Sequence, residues 1–300
     1  MHDNEIILTE KDVYLLLKNQ FPDLASLKLS YIPESGTENA LFRLGNEYVV
    51  RLPRFLLSKD AFEKNEKTLT KEFSYLPYLA SYLSFPIAKP LFKGDPTAAY
   101  PFFWSISRYN EGHNPPFEQA NEYNDLAKDL AQFLNQFHEI PVKQAPSSRR
   151  GIKLIYQDEE TQNALAQLKD DIDVSIAKTL WDTLKNIPYW PKDPVWIHGD
   201  LLPGNILIQN NRLAGIIDFS DLGLGDPACD LIPAWCLFNT QSRQIFRKNL
   251  NDVDDNTWLR GKGWALSIAL ILLPYYKSRS PIMTVLAQQM LKNIFLDEEQ

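Results

Sequence analysis

His198-Gly199-Asp200-Leu201-Leu202-Pro203-Gly204-Asn205 runs into Ile206-Leu207-Ile208, a turn at Asn210-Asn211, the apolar run 213–217, and then Asp218-Phe219. Two short apolar runs on either side of an Asn-Asn pair are the pattern of a hairpin. A hairpin brings the residues at its open end together, so Asn205 and Asp218 are expected at adjacent strand ends. Taken singly, these polar residues have ordinary explanations. Asp200 and Asn205 suit a turn beside Pro203-Gly204, and Asp218 suits a turn or helix cap. The joint pattern is far more specific than any of its members.

The spacing H-x-D-x-x-x-x-N, followed by a strand pair ending in Asp, is that of a phosphoryl-transfer catalytic loop. That chemistry needs these residue types. One carboxylate accepts the proton of the attacking hydroxyl. An amide oxygen and a second carboxylate hold Mg²⁺, a hard ion that prefers oxygen ligands. His198 is expected to brace the loop through hydrogen bonds rather than to transfer protons.

Outward from this stretch, the chain of 300 residues changes character near its first third. A helix is expected over 9–19, with Thr9 as N-cap and Asp12 at the capping-box position. Strands follow over 27–32, 39–44 and 48–52, the last two joined by a two-residue turn at Gly45-Asn46. A charged amphipathic helix spans 58–83, interrupted at Pro77. Strands over 88–94 and 102–109 complete a small sheet-rich lobe. Helical periodicity then dominates over 118–139 and 156–185, and again over 228–297. The expected architecture is α+β: an N-terminal lobe of residues 1–109, a linker over 108–112, and a mainly helical C-terminal lobe of residues 110–300.

Charge and composition remove several classes. The net charge is −7, and residues 1–109 carry 13 basic and 13 acidic side chains, so all of it lies in 110–300. An acidic chain is a poor nucleic-acid binder. The acidic C-terminal part suits a cationic small molecule, and Asp252, Asp254 and Asp255 are its densest late cluster; a solvated loop with a helix cap is the simpler explanation of that cluster. Cys229 and Cys236 are the two cysteines. On one helix they would lie about 10 Å apart along the axis, too far for a disulfide. With no basic leader and no apolar run long enough for a bilayer, a reduced, cytoplasmic protein without membrane partners is expected. A monomer or weak dimer is expected. No P-loop, G-x-S-x-G elbow or zinc-type Cys/His spacing occurs.

His198–Asn205 and 216–219, with Gly225-Asp226-Pro227-Ala228-Cys229-Asp230-Leu231 behind them, resemble the aminoglycoside phosphotransferase family, small-molecule kinases with a bilobal protein-kinase-like fold. Upstream, Glu38-Asn39-Ala40-Leu41-Phe42-Arg43-Leu44-Gly45 and Val49-Val50-Arg51-Leu52-Pro53-Arg54 look like the branch that contains macrolide kinases. Phe137-His138-Glu139-Ile140 is similar to the end of that family's first C-lobe helix. The resemblance implies Asp200 as catalytic base and Asn205 and Asp218 as Mg²⁺ ligands. It puts Arg51 where classical members have a phosphate-contacting Lys; Arg still makes bidentate phosphate contacts. Glu72 is implied as its partner, with Glu63 and Glu66 on the same helix. Arg108-Tyr109-Asn110 resembles a hinge that binds a purine, so Arg108 and Asn110 are implied at the nucleotide. Ser35 and Thr37 lie in a loop with a single Gly where a Gly-rich phosphate cover is usual, and their hydroxyls or backbone amides are implied at the nucleotide phosphates. Asp226 is expected to brace the catalytic segment, Asp230 to sit near a helix start, and Asp221 to be a surface residue or line the substrate entrance.

The implied activity is Mg²⁺-dependent transfer of a γ-phosphoryl group from ATP or GTP to a hydroxyl of an aminoglycoside or macrolide antibiotic. A metabolic alcohol such as homoserine, choline or a sugar is the alternative acceptor. A non-catalytic nucleotide-binding regulatory module is disfavoured by the intact Asp200, Asn205 and Asp218. A protein kinase is disfavoured because no A-P-E segment follows Asp218-Phe219.

Overall fold

Thr9 starts helix α1 (Glu10–Gln20) with a reciprocal capping box: the Asp12 N–H donates to the Thr9 hydroxyl, and the Thr9 N–H donates to Asp12 at 2.9 Å. The computed structural model containing it describes residues 6–33, 39–54, 58–117, 122–142 and 145–297. The chain divides into two units. Unit 1 comprises Met1–Ser81, Pro86–Glu111 and Gly215–Ser220; unit 2 comprises Tyr82–Phe85, Gly112–Ala214 and Asp221–Gln300.

Unit 1 is built on an antiparallel sheet of five strands: β1 (Leu29–Ile32), β2 (Asn39–Leu44), β3 (Tyr48–Pro53), β4 (Pro90–Gly94) and β5 (Trp104–Arg108), in the order β1-β2-β3-β5-β4. Alternation along β2 turns Ala40, Phe42 and Leu44 inward, onto a core shared with Val13, Leu16 and Leu17 of α1 and with Phe102 and Trp104. Each such large side chain contributes about 1.5–3 kcal/mol of apolar burial. The β2–β3 connection is longer than the sequence suggests. Leu44 pairs with Tyr48, so three residues form the loop, and Gly45 takes φ +58°.

Helix α2 (Lys59–Ala80) runs through Pro77 without interruption. Proline removes only one backbone donor, and the helix ends within a turn of it. Its buried stripe, Asn65, Leu69, Glu72, Leu76 and Leu79, continues on both sides of the proline and outweighs that loss. The last piece of unit 1 is Gly215–Ser220, far away in sequence. The Ile216 N–H donates to Pro86 O at 3.0 Å, and the Ala88 N–H donates to Ile216 O at 2.9 Å.

Unit 2 is mainly helical: α3 (Asn124–His138), α4 (Asp158–Gln167), α5 (Val174–Leu184), α6 (Pro233–Cys236), α7 (Thr240–Asn249), α8 (Asp255–Tyr276) and α9 (Pro281–Leu296). The periodic region 156–185 is two helices, because Asp173 caps α5 by accepting from the Ser175 and Ile176 N–H groups. Strand β6 (Val195–Ile197) leads into the His198 loop. A one-turn 3-10 helix (Pro203–Asn205) precedes β7 (Ile206–Gln209), which forms a hairpin with β8 (Arg212–Ile216). Asn210 and Asn211 both have φ above +50°, the backbone that a tight hairpin turn requires. Strand β9 (Gly223–Gly225), absent from the sequence reading, pairs with β6. A Cβ on Gly223 would meet Ser148 N at 2.6 Å, so this strand depends on close backbone approach rather than on apolar side chains. Cys229 and Cys236 are buried and free. No helix among the described residues is long and apolar enough to cross a membrane.

Candidate functional site

In unit 2 the loop between β6 and β7 is closed on itself. The Asn205 side-chain amide donates to Asp200 O at 2.7 Å and to Asp200 Oδ2 at 3.0 Å. The Leu202 N–H donates to Asp200 O, and the Asn205 N–H donates to Leu202 O, which forms the turn between them. With its nitrogen committed to Asp200, Asn205 keeps its carbonyl oxygen for another partner. Oxygen donors of this kind suit a hard divalent cation.

Two buried carboxylates hold the neighbourhood. Asp230 accepts from the His198 N–H at 2.9 Å, the Gly199 N–H at 2.8 Å and His138 Nε2 at 3.3 Å. Burial alone would push its carboxyl up; the hydrogen bonds and positive potential of His138, His198 and the Gly199 N–H outweigh that and hold it below the ordinary value. Asp226 accepts from the Ala228 N–H and forms a buried pair with Arg260, Nε to Oδ2 at 2.6 Å. Burial still raises its pKa despite that arginine. It is therefore Asp230, inside the 3-10 turn Pro227–Leu231, that grips the His198–Asn205 loop, while Asp226 caps that turn and ties it to α8. This revises the expected division of roles, and the reason is geometric: Asp230, not Asp226, accepts from the His198 and Gly199 N–H groups of the loop. Gly199 has φ +84°, and a Cβ there would meet Asp221 O at 3.0 Å. His198 is fully buried, and its Nδ1 accepts from the Asp200 N–H at 3.2 Å, a bracing contact.

Two further residues, invisible as motifs, fix this loop and hairpin. The Asn114 amide donates to the carbonyls of Gly204 at 2.8 Å and Ile206 at 2.9 Å. Asp129 on α3 receives both Arg212 Nε at 2.6 Å and the Leu213 N–H at 3.1 Å, anchoring β8. Their partners lie more than eighty positions away in the chain, so no local pattern marks them. Asp221 is held by Arg149 in a two-pronged pair, Nε to Oδ1 at 2.6 Å and Nη2 to Oδ2 at 2.9 Å.

In unit 1, Arg51 on β3 forms an ion pair with Glu72 on α2, and its Nη1 stands 4.0 Å from Asp218 Oδ1. Glu63 instead faces Lys59 and Lys67 on the surface. Glu72 is buried, which raises its pKa against the opposing charge of Arg51, and its Oε1 has no hydrogen-bond partner. Asp218 sits at φ +58°, a left-handed backbone that costs a non-glycine residue about 1–3 kcal/mol. Its side chain is 35% exposed. Lys71, one position before Glu72, donates to Ser220 O at 2.7 Å and holds the segment that carries Asp218. Adjacent positions on α2 thus serve Arg51 and the 215–220 segment.

The linker is anchored by the Tyr109 N–H, which donates to Glu47 O at 2.7 Å, and by the guanidinium of Arg43 over the Tyr109 ring at 3.2 Å. Arg108 is exposed and lies 3.5 Å from Glu47. Asn110 Nδ2 is buried without a hydrogen-bond partner, next to Gly215. Ser35 and Thr37 lie outside the described residues. The late acidic cluster is already engaged: Asp254 caps α8 through the Thr257 N–H at 2.7 Å, Asp252 lies 3.2 Å from Lys192, and Asp255 pairs with Arg247.

The family model described as APH, phosphotransferase enzyme family, matches residues 32–264. An uncharacterised protein of Bacillus subtilis, YcbJ, is 28% identical over 182 residues, 58% of this chain and 56% of its own length. An aminoglycoside 3'-phosphotransferase of Salmonella typhimurium is 27% identical over 179 residues, 56% of this chain and 64% of its own. The matches thus span less than two thirds of these relatives. The solved structure of the GDP and kanamycin complex of APH(2")-IIia superposes with a TM-score of 0.68 at 20% identity, covering 95% of this chain and 98% of that one. The fold is therefore the kinase-like one of those phosphotransferases.

Proposed function

The chain belongs to the APH phosphotransferase enzyme family, and from that premise we propose that it transfers the γ-phosphoryl group of ATP or GTP to a hydroxyl of a small molecule. The observation that carries this reading is the Asp200–Asn205 turn, closed by hydrogen bonds and held from behind by buried Asp230. Asp200 takes the proton of the acceptor hydroxyl as its oxygen bonds to the γ-phosphorus, and the bridging oxygen leaves with the nucleoside diphosphate. Asn205 orients the Asp200 carboxylate. His198 and Asp230 fix the loop's backbone, so little reorganisation accompanies the reaction. Arg51, held by Glu72, contacts nucleotide phosphates, and the Arg108–Asn110 linker faces the purine.

Asn205 and Asp218 are the proposed Mg²⁺ ligands, and their oxygen donors fit that ion. Bound Mg²⁺ supplies charge neutralisation for the phosphates. The proposed acceptor is an aminoglycoside or macrolide, the class of the family branch that the N-lobe strands resemble. Purified protein supplied with Mg²⁺ and either ATP or GTP is to be screened for ADP or GDP release against aminoglycosides, macrolides and small metabolic alcohols. Acceptor-dependent release that vanishes in Asp200→Ala supports the reading. Release unaffected by any acceptor and by that substitution removes it.

A further inference from the structure

The buried stripe of α2 is Asn65, Leu69, Glu72, Leu76 and Leu79. The leucines make apolar contacts, which are non-directional and tolerate a small slide or rotation of a helix. Glu72 is accounted for by Arg51. Asn65 is the polar member with no part in that pair, and burying its amide carries a desolvation cost that leucine would not.

Both ends of that amide are committed to one residue. The Phe103 N–H donates to Asn65 Oδ1 at 2.9 Å, and Asn65 Nδ2 donates to Phe103 O at 3.1 Å. Phe103 stands one position before β5, ahead of the strand pairing that begins at Trp104. A single side chain thus takes both backbone groups of a residue 38 positions away. Two directional bonds to one residue fix distance and orientation together. The ring contact between Phe62 and Phe102, centroids 4.8 Å apart, adds apolar burial at the same end of the helix.

The clamp and the ion pair are joined by two routes. Along α2, Glu72 follows Asn65 by two turns on the same buried face, about 10 Å along the axis. Across the sheet, Ser105 lies two positions after Phe103 and pairs with Arg51. Asn65, Phe103, Ser105, Arg51 and Glu72 therefore close a circuit that ties helix to sheet at two points, all within unit 1. The Arg51–Glu72 end is the weaker tie. One Glu72 oxygen has no hydrogen-bond partner, and a buried ion pair gains little net stability once desolvation is counted. Lys71 anchors α2 to Ser220 rather than to the sheet.

We propose that Asn65 is a positioning residue for nucleotide binding: by clamping α2 to the start of β5 it sets where Glu72 meets Arg51, and so where the guanidinium is presented to the nucleotide phosphates. The proposal rests on the phosphotransferase reading, and on its nucleotide side alone.

The test reads binding without turnover, by calorimetry with ADP and GDP in the presence of Mg²⁺. Wild-type protein is compared with Asn65→Ala, Glu72→Ala and the double variant, each shown by thermal unfolding to be folded at the assay temperature. In Asn65→Ala the Kd of the tighter nucleotide should rise about tenfold. In the Glu72→Ala background the same substitution should add less than about twofold, because the clamp acts through that pair. Independent sites this far apart give additive effects, so a merely structural asparagine would again cost about tenfold. Asn65→Gln serves where Asn65→Ala does not fold. It keeps both bonding groups on a side chain one methylene longer, so it should still raise the Kd about threefold or more by changing the spacing of helix and strand. An unchanged Kd in Asn65→Ala overturns the proposal, as does full additivity with Glu72→Ala or wild-type affinity in Asn65→Gln. If the wild-type protein binds neither ADP nor GDP, the phosphotransferase reading falls and the proposal with it. If it binds nucleotide and the variants bind equally well, the proposal alone falls.

Discussion

The Asp200–Asn205 loop and the Arg51–Glu72–Asp218 group are held by opposite means. In the loop, Asp230 is surrounded by donors, and its carboxyl lies below the ordinary value. In the second group, Glu72 is pushed the other way by burial, keeps an unpartnered oxygen, and faces an aspartate in strained backbone. A satisfied buried network rigidifies, whereas an incompletely satisfied one is poised to gain from a further charged partner. The first arrangement suits positioning of a proton acceptor, and the second suits a site that is completed by ligand.

Substitutions sharpen this contrast. The largest effect is expected at Asp200. Asp200→Ala should lower turnover by about 10²–10⁴-fold with little change in nucleotide affinity. Near-normal turnover would end its assignment as base.

Asp230→Ala should come next, removing about 3–5 kcal/mol of stability because it strands loop N–H groups and His138 around a lost anion. The dependence on pH has a definite sign. A carboxyl held below its unfolded value contributes stability above about pH 4, and that contribution fades as pH falls through the folded value. Denaturant titrations of both proteins should therefore differ most near neutrality and converge in acid. A gap that widens in acid would contradict the rigid-network account.

In the other group, Arg51→Lys keeps the charge but loses the planar fork. It should raise nucleotide KM about ten- to a hundred-fold while leaving acceptor KM close to normal. A change confined to acceptor KM would break the proposed division of labour. The smallest effect is expected at Asn114→Ala, about 1–2 kcal/mol of stability, since only one amide's bonds to the Gly204 and Ile206 carbonyls are lost. If thermal unfolding showed no change, the hairpin alone would suffice to hold the loop.

The sequence on its own determined what depends on neighbours in the chain. The capping box at Thr9, the alternation of β2, the Asn210-Asn211 turn and the spacing from His198 to Asn205 are local, because caps, strands and turns are set by residues a few positions apart. The pairing of β6 with glycine-rich β9 escaped that reading, since its signal is the absence of side chains where Ser148 and Gly151 press close. The continuity of α2 through Pro77 was decided by the buried stripe on its core face, which local propensity does not record. Only the tertiary structure decided that Asp230 rather than Asp226 grips the loop and that Asn114 clamps the loop's carbonyls. The physical reason is the same in each case: whether a buried polar group is satisfied depends on donors and acceptors brought from distant parts of the chain, and spacing along the sequence carries no record of them.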